Sequence, residues 1–382
     1  MFDFNLFLTD TYSIALAAAM AAALVWLALY YGLYHLRVGR YKGSAPIATE
    51  SDLPPVSVVL TAHNDHAWLR ENLVYLLEQD YPNFEVVVVD YLSTDETEYV
   101  LKFLKDYYPH LKIVPFKADV NLFQGKKYPL SIGIKSASND ILLLADPDCT
   151  PKNLQWLRGM VKGYTQGTQI VLGYCGLKRT KTLLGALQQY DALAYGAHYL
   201  GSALLGHPYT GSGRNLSYRR SFFFDRGAFI SHYDVADGSD DLFVYQNADR
   251  RNTAVCIDAD AVLIAEPRKS FSEWHRQRRH RVGTRGRHSL GSRMLEEMTP
   301  LANVVFYAAA VLLILIGSLP WPVTAAAVAL KLAWQIVCFS QLARRFEGGL
   351  VYLLAPLMEI YFMIANTILI LLPLSNNRRF KK

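Results

Sequence analysis

Four apolar stretches at the two ends of the chain constrain this sequence more than any other feature. The first, Ser13–Leu36, contains no Asp, Glu, Lys or Arg and is long enough to cross a bilayer as a helix. Three more lie near the C terminus, at Leu301–Leu319, Trp321–Leu342 and Val351–Leu374. Hydrophobic residues make up 52% of the 382 residues, and because they are concentrated in these stretches, the middle of the chain reads as water-soluble.

The charges around the first stretch indicate its orientation. Asp3 and Asp10 precede it, where a cleaved signal peptide would carry positive charge, so we expect a retained membrane helix. Arg37, Arg40 and Lys42 follow it directly. Basic residues stay preferentially on the cytosolic side of a membrane, and the soluble middle is therefore expected in the cytosol.

The topology of the C-terminal stretches is left open by the sequence. Arg344 and Arg345 follow the second of them, and a further basic cluster occupies residues 378–382. If every stretch crosses the membrane, one of these clusters ends up outside. One stretch is therefore interfacial or re-entrant, and the second, which contains Lys331, is a candidate for the interfacial one.

Cysteine spacing and net charge exclude some classes of function. The four cysteines form no Cys-x-x-Cys pair and no zinc spacing, which fits a reducing cytosolic compartment. The formal net charge of +6 comes largely from arginines between Arg276 and Arg293. Because no aromatic residues interleave with them in a nucleic-acid-binding pattern, we expect anionic headgroups or phosphates as partners and no nucleic acid.

The middle of the chain alternates short apolar runs with helical patterns. The runs are Val56–Ala62, Phe84–Asp90, Lys112–Phe116 and Ile141–Ala145, and helical spacing of apolar residues occurs between them. Near-continuous apolar runs are typical of strands buried on both faces of a parallel sheet. The pattern predicts an α/β fold with a doubly wound, mostly parallel sheet that binds ligands at the carboxyl ends of its strands.

Polar side chains follow three of these strands. Thr61 and Asn64 lie at the end of the first strand, Asp90 at the end of the second, and Asp146 and Asp148 follow the fourth. Two carboxylates separated by one residue can present hard oxygens to one Mg²⁺ or Mn²⁺ ion. Oxygens of a diphosphate and of water would complete the octahedral coordination of this ion. The alternative is an ordinary solvated turn.

Two clusters further along the chain have the chemistry of a transferase site. The pair Asp240 and Asp241 offers a carboxylate base for an acceptor hydroxyl, although Asp is also a common residue at a helix start. In the basic stretch that begins at Trp274, guanidinium groups such as Arg276 and Arg279 suit diphosphate oxygens. The indole of Trp274 can stack on a sugar or an acceptor. A basic helix lying on lipid headgroups is the alternative for this stretch.

Several motifs occur in a characteristic order between Pro55 and Gly283. They are Val56–Asn64, Gln79–Val86, Val89–Thr97, Gly125–Lys126, Asp146–Asp148, Gly211–Leu216, Asp240–Asp241 and Trp274–Gly283. In this order they resemble the membrane-associated family 2 glycosyltransferases, which have the GT-A fold. Cellulose and hyaluronan synthases and ceramide glucosyltransferase belong to that family.

The resemblance implies a role for individual residues. Asp241 would be the catalytic base, with Asp240 beside it, and Asp148 and Asp146 would hold Mg²⁺ or Mn²⁺. The residues implied in binding the nucleotide-sugar donor are Thr61, Asn64, Asp90, Lys126, Asp146, Arg276 and Arg279. Those implied on the acceptor side are Gly213, Asn215, Trp274 and His280.

Three positions depart from the family pattern. Tyr91 stands where a second Asp is common, so we expect recognition of the donor's nucleobase to differ from that of the family. His280 replaces a Trp that helps to line the acceptor site of processive synthases, and this disfavours polymer synthesis. Ser239 replaces an acid that some relatives carry, so an alternative alignment puts Ser239 at the base position.

We therefore expect an inverting glycosyltransferase, integral to a bacterial inner membrane, with a lipid or lipid-linked glycan as its acceptor. This interpretation requires carboxylates that are far apart in the chain to converge on one cleft. The rival interpretations are a processive polysaccharide synthase, a sugar nucleotidyltransferase and a non-catalytic partner that retains the fold. The expected domains are a membrane helix with its basic flank (1–42), a linker (43–55), the cytosolic glycosyltransferase domain (56–293) and C-terminal transmembrane or interfacial helices (294–382).

The nucleotide of the donor is not specified by any of these motifs. We expect a UDP-sugar, because uridine diphosphate is the commonest donor nucleotide in the family that the sequence resembles.

Overall fold

The computed structural model describes residues 4–43, 53–116, 125–235 and 237–371. These residues form two compact units. One unit contains the N-terminal segment up to Arg40 together with the chain from His288 onwards, and the other contains Tyr41–Arg287. Most of the expected linker and the basic cluster at 378–382 lie outside the described residues.

Helices and strands alternate along most of the chain. The helices are α1 (Phe4–Tyr30), α2 (Arg37–Gly39), α3 (His66–Leu77), α4 (Thr97–Tyr107), α5 (Lys127–Ser136), α6 (Trp156–Val161), α7 (Leu183–Leu204), α8 (Arg220–Asp225), α9 (Asp241–Asn247), α10 (Phe271–Gly283), α11 (Leu290–Ile316), α12 (Trp321–Arg345) and α13 (Val351–Leu371). The strands are β1 (Val56–Ala62), β2 (Phe84–Tyr91), β3 (Leu111–Phe116), β4 (Ile141–Leu144), β5 (Cys149–Pro151), β6 (Ile170–Leu172), β7 (Tyr174–Leu177), β8 (Leu216–Arg219), β9 (Thr253–Val255) and β10 (Val262–Ala265).

A seven-stranded sheet forms the centre of the Tyr41–Arg287 unit. Its strand order is β3-β2-β1-β4-β8-β6-β9. Strands β3, β2, β1 and β4 are parallel, whereas β8 runs antiparallel to both β4 and β6. The apolar runs form this sheet because helices cover it, and Val86–Val89 and Ile141–Leu144 are buried throughout. The predicted α/β fold with a mostly parallel sheet is confirmed.

The strand register brings the polar strand ends to one edge of the sheet. Ala62, the last residue of β1, is opposite Asp90 in β2. On the other side of β1, Val59 is opposite Leu144, and the backbone N–H of Ala145 donates to the carbonyl of Val59 over 3.4 Å. The turn that carries Asp146 therefore emerges beside the end of β1, as the parallel pattern predicted.

A second, three-stranded sheet in the order β5-β10-β7 begins directly after this turn. Strand β5 starts at Cys149, opposite Ala265 in β10, and the N–H of Glu266 donates to the carbonyl of Asp148 over 3.3 Å. This pairing brings the segment after β10 beside the acidic turn. The sequence did not predict this sheet, because its strands of three or four residues are too short to show a periodic pattern.

The other unit contains apolar helices. Within the described residues, four helices are long and apolar enough to cross a membrane: Thr11–Gly39, Met298–Ile316, Trp321–Arg345 and Val351–Ile368. The first is interrupted by a π-helical segment at Tyr31–Leu36. The fold thus combines the α/β unit with flanking candidate membrane helices.

A buried ion pair joins two of these helices. The side chains of Lys331 in α12 and Glu359 in α13 are 1% and 4% exposed, and the ammonium group donates to the carboxylate. The hydroxyl of Tyr31 also donates to Glu359, and the hydroxyl of Tyr307 in α11 donates over 3.3 Å. Lys331, the residue that suggested an interfacial position for this stretch, therefore has buried partners. The choice between a spanning and an interfacial helix stays a prediction.

We expect Lys331→Met to destabilise the protein by about 3–5 kcal/mol, because it leaves the buried Glu359 carboxylate without its counter-ion. Replacing both partners, as in Lys331→Met with Glu359→Leu, should recover most of this loss. The measurement is the midpoint of thermal unfolding of the detergent-solubilised protein. The control is Lys102→Met, at a lysine whose side chain is 70% exposed. Equal midpoints for wild type and Lys331→Met would contradict this account.

Candidate active site

The acidic turn after β4 carries a cluster of ion pairs. Asp146 accepts a hydrogen bond from the Nζ of Lys126 over 2.6 Å, and the Nε of Arg214 lies 3.5 Å from its other oxygen. Asp148 is buried, and its Oδ2 accepts from Nη2 of Arg214 over 2.7 Å and from Nη2 of Arg268 over 3.2 Å. Two carboxylates therefore share three cationic side chains.

The charge of this cluster is reflected in the pKa of Asp146. Burial raises this pKa, but the neighbouring Lys126 and Arg214 outweigh burial and hold it below its usual value. Burial likewise acts to lower the pKa of Arg214, whereas Asp148 raises it, and the net result is a raised pKa. Both groups therefore stay ionised at neutral pH.

Arg268 is placed at the cluster by its own backbone. Its N–H donates to Oε1 of Gln188 over 2.8 Å, and its carbonyl accepts from Nε2 of the same side chain over 2.9 Å. Sequence reasoning missed Arg268, which follows the short strand β10. It assigned no role to Arg214 either, although that residue lies within the Gly-rich motif Gly211–Leu216.

The second acidic pair stands at the start of α9. The Oδ2 of Asp240 accepts the backbone N–H of Gly213 over 2.6 Å, and Asp241 accepts from the hydroxyl of Thr284. Burial raises the pKa of the Asp240 carboxyl. A methyl group at Gly213 would lie 3.0 Å from Oδ2 of Asp240, so the close approach of the backbone favours glycine there.

Consecutive residues connect the two acidic pairs. Gly213 donates to Asp240, while its neighbour Arg214 donates to Asp148. Asp240 and Asp148, which are far apart in the chain, consequently lie beside one dipeptide. Their convergence with Asp90 and Asp241 on one cleft around a cation and a diphosphate stays a prediction.

The ends of β1 and β2 are tied together by side chains. Asn64 has a φ of 56°, in the left-handed region, and its Oδ1 accepts from the N–H of Thr94 over 2.8 Å. The Oδ1 atom of Asp90 is buried and has no hydrogen-bond partner among the described residues. Thr61 lies one residue before the end of β1, partly exposed at the same edge. This edge presents polar groups that a ligand can engage.

Helix α10 places its basic residues differently from the expectation. The indole of Trp274 is 2% exposed, and its Nε1 donates to Asp191 over 3.3 Å. Arg278 and Arg281 also contact this carboxylate, over 3.6 and 3.4 Å. The structure corrects the expectation that Trp274 stacks on a sugar or acceptor, because an indole enclosed by the protein offers no open face.

The remaining basic residues of α10 are exposed. Arg276 and Arg279 lie on the outer side of the helix, and Nδ1 of His280 is 3.2 Å from Asp237. The arginine that reaches Asp148 from the C-terminal part of this unit is Arg268 instead. Donor contacts by Arg276 and Arg279, and an acceptor contact by His280, stay predictions.

The side chain of Asn215 is buried and bonded to other groups of the protein. It is fully buried, and its Nδ2 donates to the carbonyls of Tyr174 and Ala261 over 2.8 and 2.7 Å. Its Oδ1 accepts from Nε1 of Trp156 over 3.2 Å. The structure corrects the expected acceptor-side position, because all of these amide contacts are internal and anchor the segment that carries Gly213.

The acidic turn fits a divalent cation that is shared with a ligand. No group of three or more His, Cys, Asp or Glu side chains within the described part of the chain is arranged to hold a metal ion. However, Mg²⁺ is commonly bound by one or two carboxylates together with substrate phosphates and water. Asp146 and Asp148 provide those two carboxylates, and the adjacent cations provide phosphate ligands.

Comparison with known families is consistent with this geometry. Residues 57–226 match the family model described as "Glycosyl transferase family 2". The match extends from β1 to just beyond α8, and it includes Asp90, Asp146 and Asp148 but ends before Asp240.

Curated relatives are glycosyltransferases that match over part of their length. A Bacillus subtilis protein described as "Probable glycosyltransferase YdaM" is 27% identical over 144 residues, covering 35% of this chain and 34% of that protein. The beta-monoglucosyldiacylglycerol synthase of Synechocystis is 33% identical over 118 residues, covering 30% of this chain and 24% of that protein. The chain thus spans about a third or less of the length of these two relatives.

Among solved structures, the fold is similar to that of a mannosyltransferase from Pyrobaculum calidifontis, solved in complex with GDP-Man and Mn²⁺. The identity is 21%, the TM-score is 0.56, and the superposition covers 92% of this chain and 99% of that one. This likeness shows a GT-A fold. Together with the family match over residues 57–226, it confirms the resemblance to family 2 glycosyltransferases that was identified from the sequence.

Proposed function

We propose that this protein is an inverting, metal-dependent glycosyltransferase that moves a sugar from a nucleotide-sugar donor to an acceptor at the membrane. The observation that supports this most is the Gly213–Arg214 dipeptide, in which Gly213 donates to Asp240 and Arg214 donates to Asp148. A cationic diphosphate site and a candidate base are thereby next to each other, as a single displacement at an anomeric carbon requires.

In this proposal, the strand edge binds the nucleoside. The buried oxygen of Asp90 accepts an N–H or O–H group of the base or ribose, because a buried carboxylate oxygen otherwise lacks a partner. Thr61 and Asn64 line the same edge. The diphosphate lies against Lys126, Arg214 and Arg268, whose positive charges suit its oxygens.

Asp148 and Asp146 hold Mg²⁺ or Mn²⁺ in the proposed donor complex. When bound, the ion neutralises negative charge on the departing diphosphate. The mannosyltransferase of similar fold was solved with GDP-Man and Mn²⁺, which supports the compatibility of this fold with such a complex.

The proposed transfer takes place in one displacement. An acceptor hydroxyl oxygen forms the new bond to the anomeric carbon while the bond from this carbon to the phosphate oxygen breaks. The hydroxyl proton passes to Asp241, and the electron pair leaves with the diphosphate, next to Arg214 and Arg268. Thr284 holds Asp241 through its hydroxyl, and Asp240 holds Gly213.

The acceptor is proposed to be a lipid or lipid-linked glycan, with the catalytic domain in the cytosol and the helices in a bacterial inner membrane. Four candidate spans flank the glycosyltransferase domain in the chain. The name of one relative, beta-monoglucosyldiacylglycerol synthase, denotes an enzyme that makes a glucosyl lipid. Both observations favour an acceptor at the bilayer over a soluble one.

The decisive experiment uses Asp148→Asn and Asp241→Asn. We expect a loss of turnover of about 10²-fold or more for the first and about 10²–10⁴-fold for the second, because they remove the metal ligand and the base. A panel of UDP- and GDP-sugars is incubated with purified protein, membrane lipids and Mn²⁺, and released nucleoside diphosphate is measured.

The control for this experiment is Asp106→Asn, at an exposed position in α4, which should keep wild-type turnover. Wild-type turnover in Asp148→Asn and Asp241→Asn would contradict the proposal. Release of pyrophosphate would indicate a nucleotidyltransferase instead, and long products on a gel would indicate a processive synthase. An unchanged anomeric configuration in the product, read by NMR, would contradict inversion.

Asp240→Asn separates the two neighbouring acids. Its amide oxygen can still accept the Gly213 N–H, so we expect a smaller loss of turnover than for Asp241→Asn. If turnover falls further in Asp240→Asn than in Asp241→Asn, the assignment of the base is wrong and Asp240 takes that role.

The same variant should be more stable than the wild type at neutral pH. Burial raises the pKa of Asp240 in the folded protein, so its stabilising contribution is complete below the unfolded pKa of about 3.9 and declines as pH rises through the folded value. Asn carries no charge at any pH. The variant's midpoint of thermal unfolding should therefore exceed that of the wild type at pH 7.5, and the difference should shrink towards pH 4. A difference that does not change with pH would contradict the raised pKa.

A further inference from the structure

Asp148 is engaged by two arginines from distant parts of the chain. Arg214 and Arg268 both donate through Nη2 to the same oxygen, Oδ2, over 2.7 and 3.2 Å. The thiol of Cys149 donates to the other oxygen over 3.4 Å. With its side chain only 9% exposed, Asp148 presents a carboxylate whose oxygens are already occupied.

The charges around this carboxylate are close to balanced. Asp146 and Asp148 face Lys126, Arg214 and Arg268. The electrostatic influence of both aspartates also extends to Asp65, whose carboxylate accepts the N–H of His63 over 2.9 Å. Three carboxylates and three cationic side chains leave no excess of negative charge. Without a diphosphate, the cluster therefore has little net attraction for a divalent cation.

We propose that Arg214 and Arg268 act as counter-ions of Asp148 in the donor-free enzyme, so that the divalent cation and the nucleoside diphosphate bind cooperatively. This inference rests on the proposed function and concerns the order of binding at the same site. The cation reaches Asp148 readily only when diphosphate oxygens engage the guanidinium groups.

The physical reason is competition for one oxygen. A cation that coordinates Oδ2 without diphosphate leaves a partly buried guanidinium without its counter-ion, which is unfavourable. A diphosphate offers this guanidinium a new bidentate partner and adds negative charge beside the metal position. By linkage, the diphosphate must tighten cation binding by the same factor as the cation tightens diphosphate binding.

Arg268 is the more exposed of the two counter-ions. Its side chain is 34% exposed, against 15% for Arg214. Its backbone N–H and carbonyl are both bonded to Gln188, so the side chain can turn while the backbone stays in place. Those backbone bonds do not depend on the guanidinium group, and substitutions of Arg268 should therefore fold.

The test measures Mn²⁺ binding directly, from the EPR signal of free Mn²⁺, with metal-stripped full-length protein in detergent. For the wild type, saturating UDP or GDP should tighten Mn²⁺ binding by about tenfold or more, after correction for the nucleotide–Mn²⁺ complex measured without protein. For Arg268→Gln, Mn²⁺ alone should bind about fivefold or more tightly than to the wild type, and the effect of the nucleotide should be smaller.

Three further variants make the measurement specific. Arg268→Lys keeps the charge and should bind Mn²⁺ alone more weakly than Arg268→Gln. Arg226→Gln removes an exposed arginine that lies over the ring of Phe222, and it should match the wild type. Asp148→Asn should lose Mn²⁺ binding in the presence of nucleotide, which locates the ion.

The outcomes distinguish this inference from the proposed function. Equal affinity of Mn²⁺ alone for the wild type and Arg268→Gln, or a wild-type affinity that nucleotide does not change, would overturn the inference while the proposed transfer stands. If the wild type binds neither UDP nor GDP in the presence of Mn²⁺, the proposed function itself is wrong.

Discussion

The ion pair between Arg214 and Asp148 is the interaction on which the arrangement of the site depends. It joins the turn after β4 to the Gly-rich segment before β8, and the adjacent Gly213 carries the same segment to Asp240. Asn215 fixes the segment from its other side through its buried amide. A partly buried ion pair is maintained only where its surroundings hold both partners in place. In this protein the bonds of Gly213 and Asn215 hold the segment that carries Arg214.

Much of the fold could be predicted from the sequence, because the parallel strands have a continuous apolar pattern. Val86–Val89 and Ile141–Leu144 are buried on both faces, and the polar residues that follow them reach one edge because parallel strands end together. The resemblance to family 2 glycosyltransferases followed from the order of motifs along this pattern, and the family match over residues 57–226 confirms it.

The contacts of the site could be predicted less well, since they depend on tertiary packing. Arg268 reaches Asp148 only because β10 pairs with β5, and neither strand is long enough to be recognised. Likewise, the sequence distinguishes no inner face on α10. In the structure, Trp274, Arg278 and Arg281 face inward because they contact the buried Asp191 of α7. Their basic neighbours on α10 stay exposed.

If α12 and α13 span a bilayer as proposed, the pairing of Lys331 with Glu359 has a consequence for how they enter it. A lone lysine near the middle of an apolar helix makes insertion unfavourable by about 2.5–3.5 kcal/mol. The counter-ion of Lys331 lies in the following helix, only a short connection away. Helices α12 and α13 would therefore enter most readily as a hairpin in which Lys331 and Glu359 are already paired. Biogenesis of this protein would then proceed through a helical pair, and α12 would not be released into lipid until α13 has been synthesised.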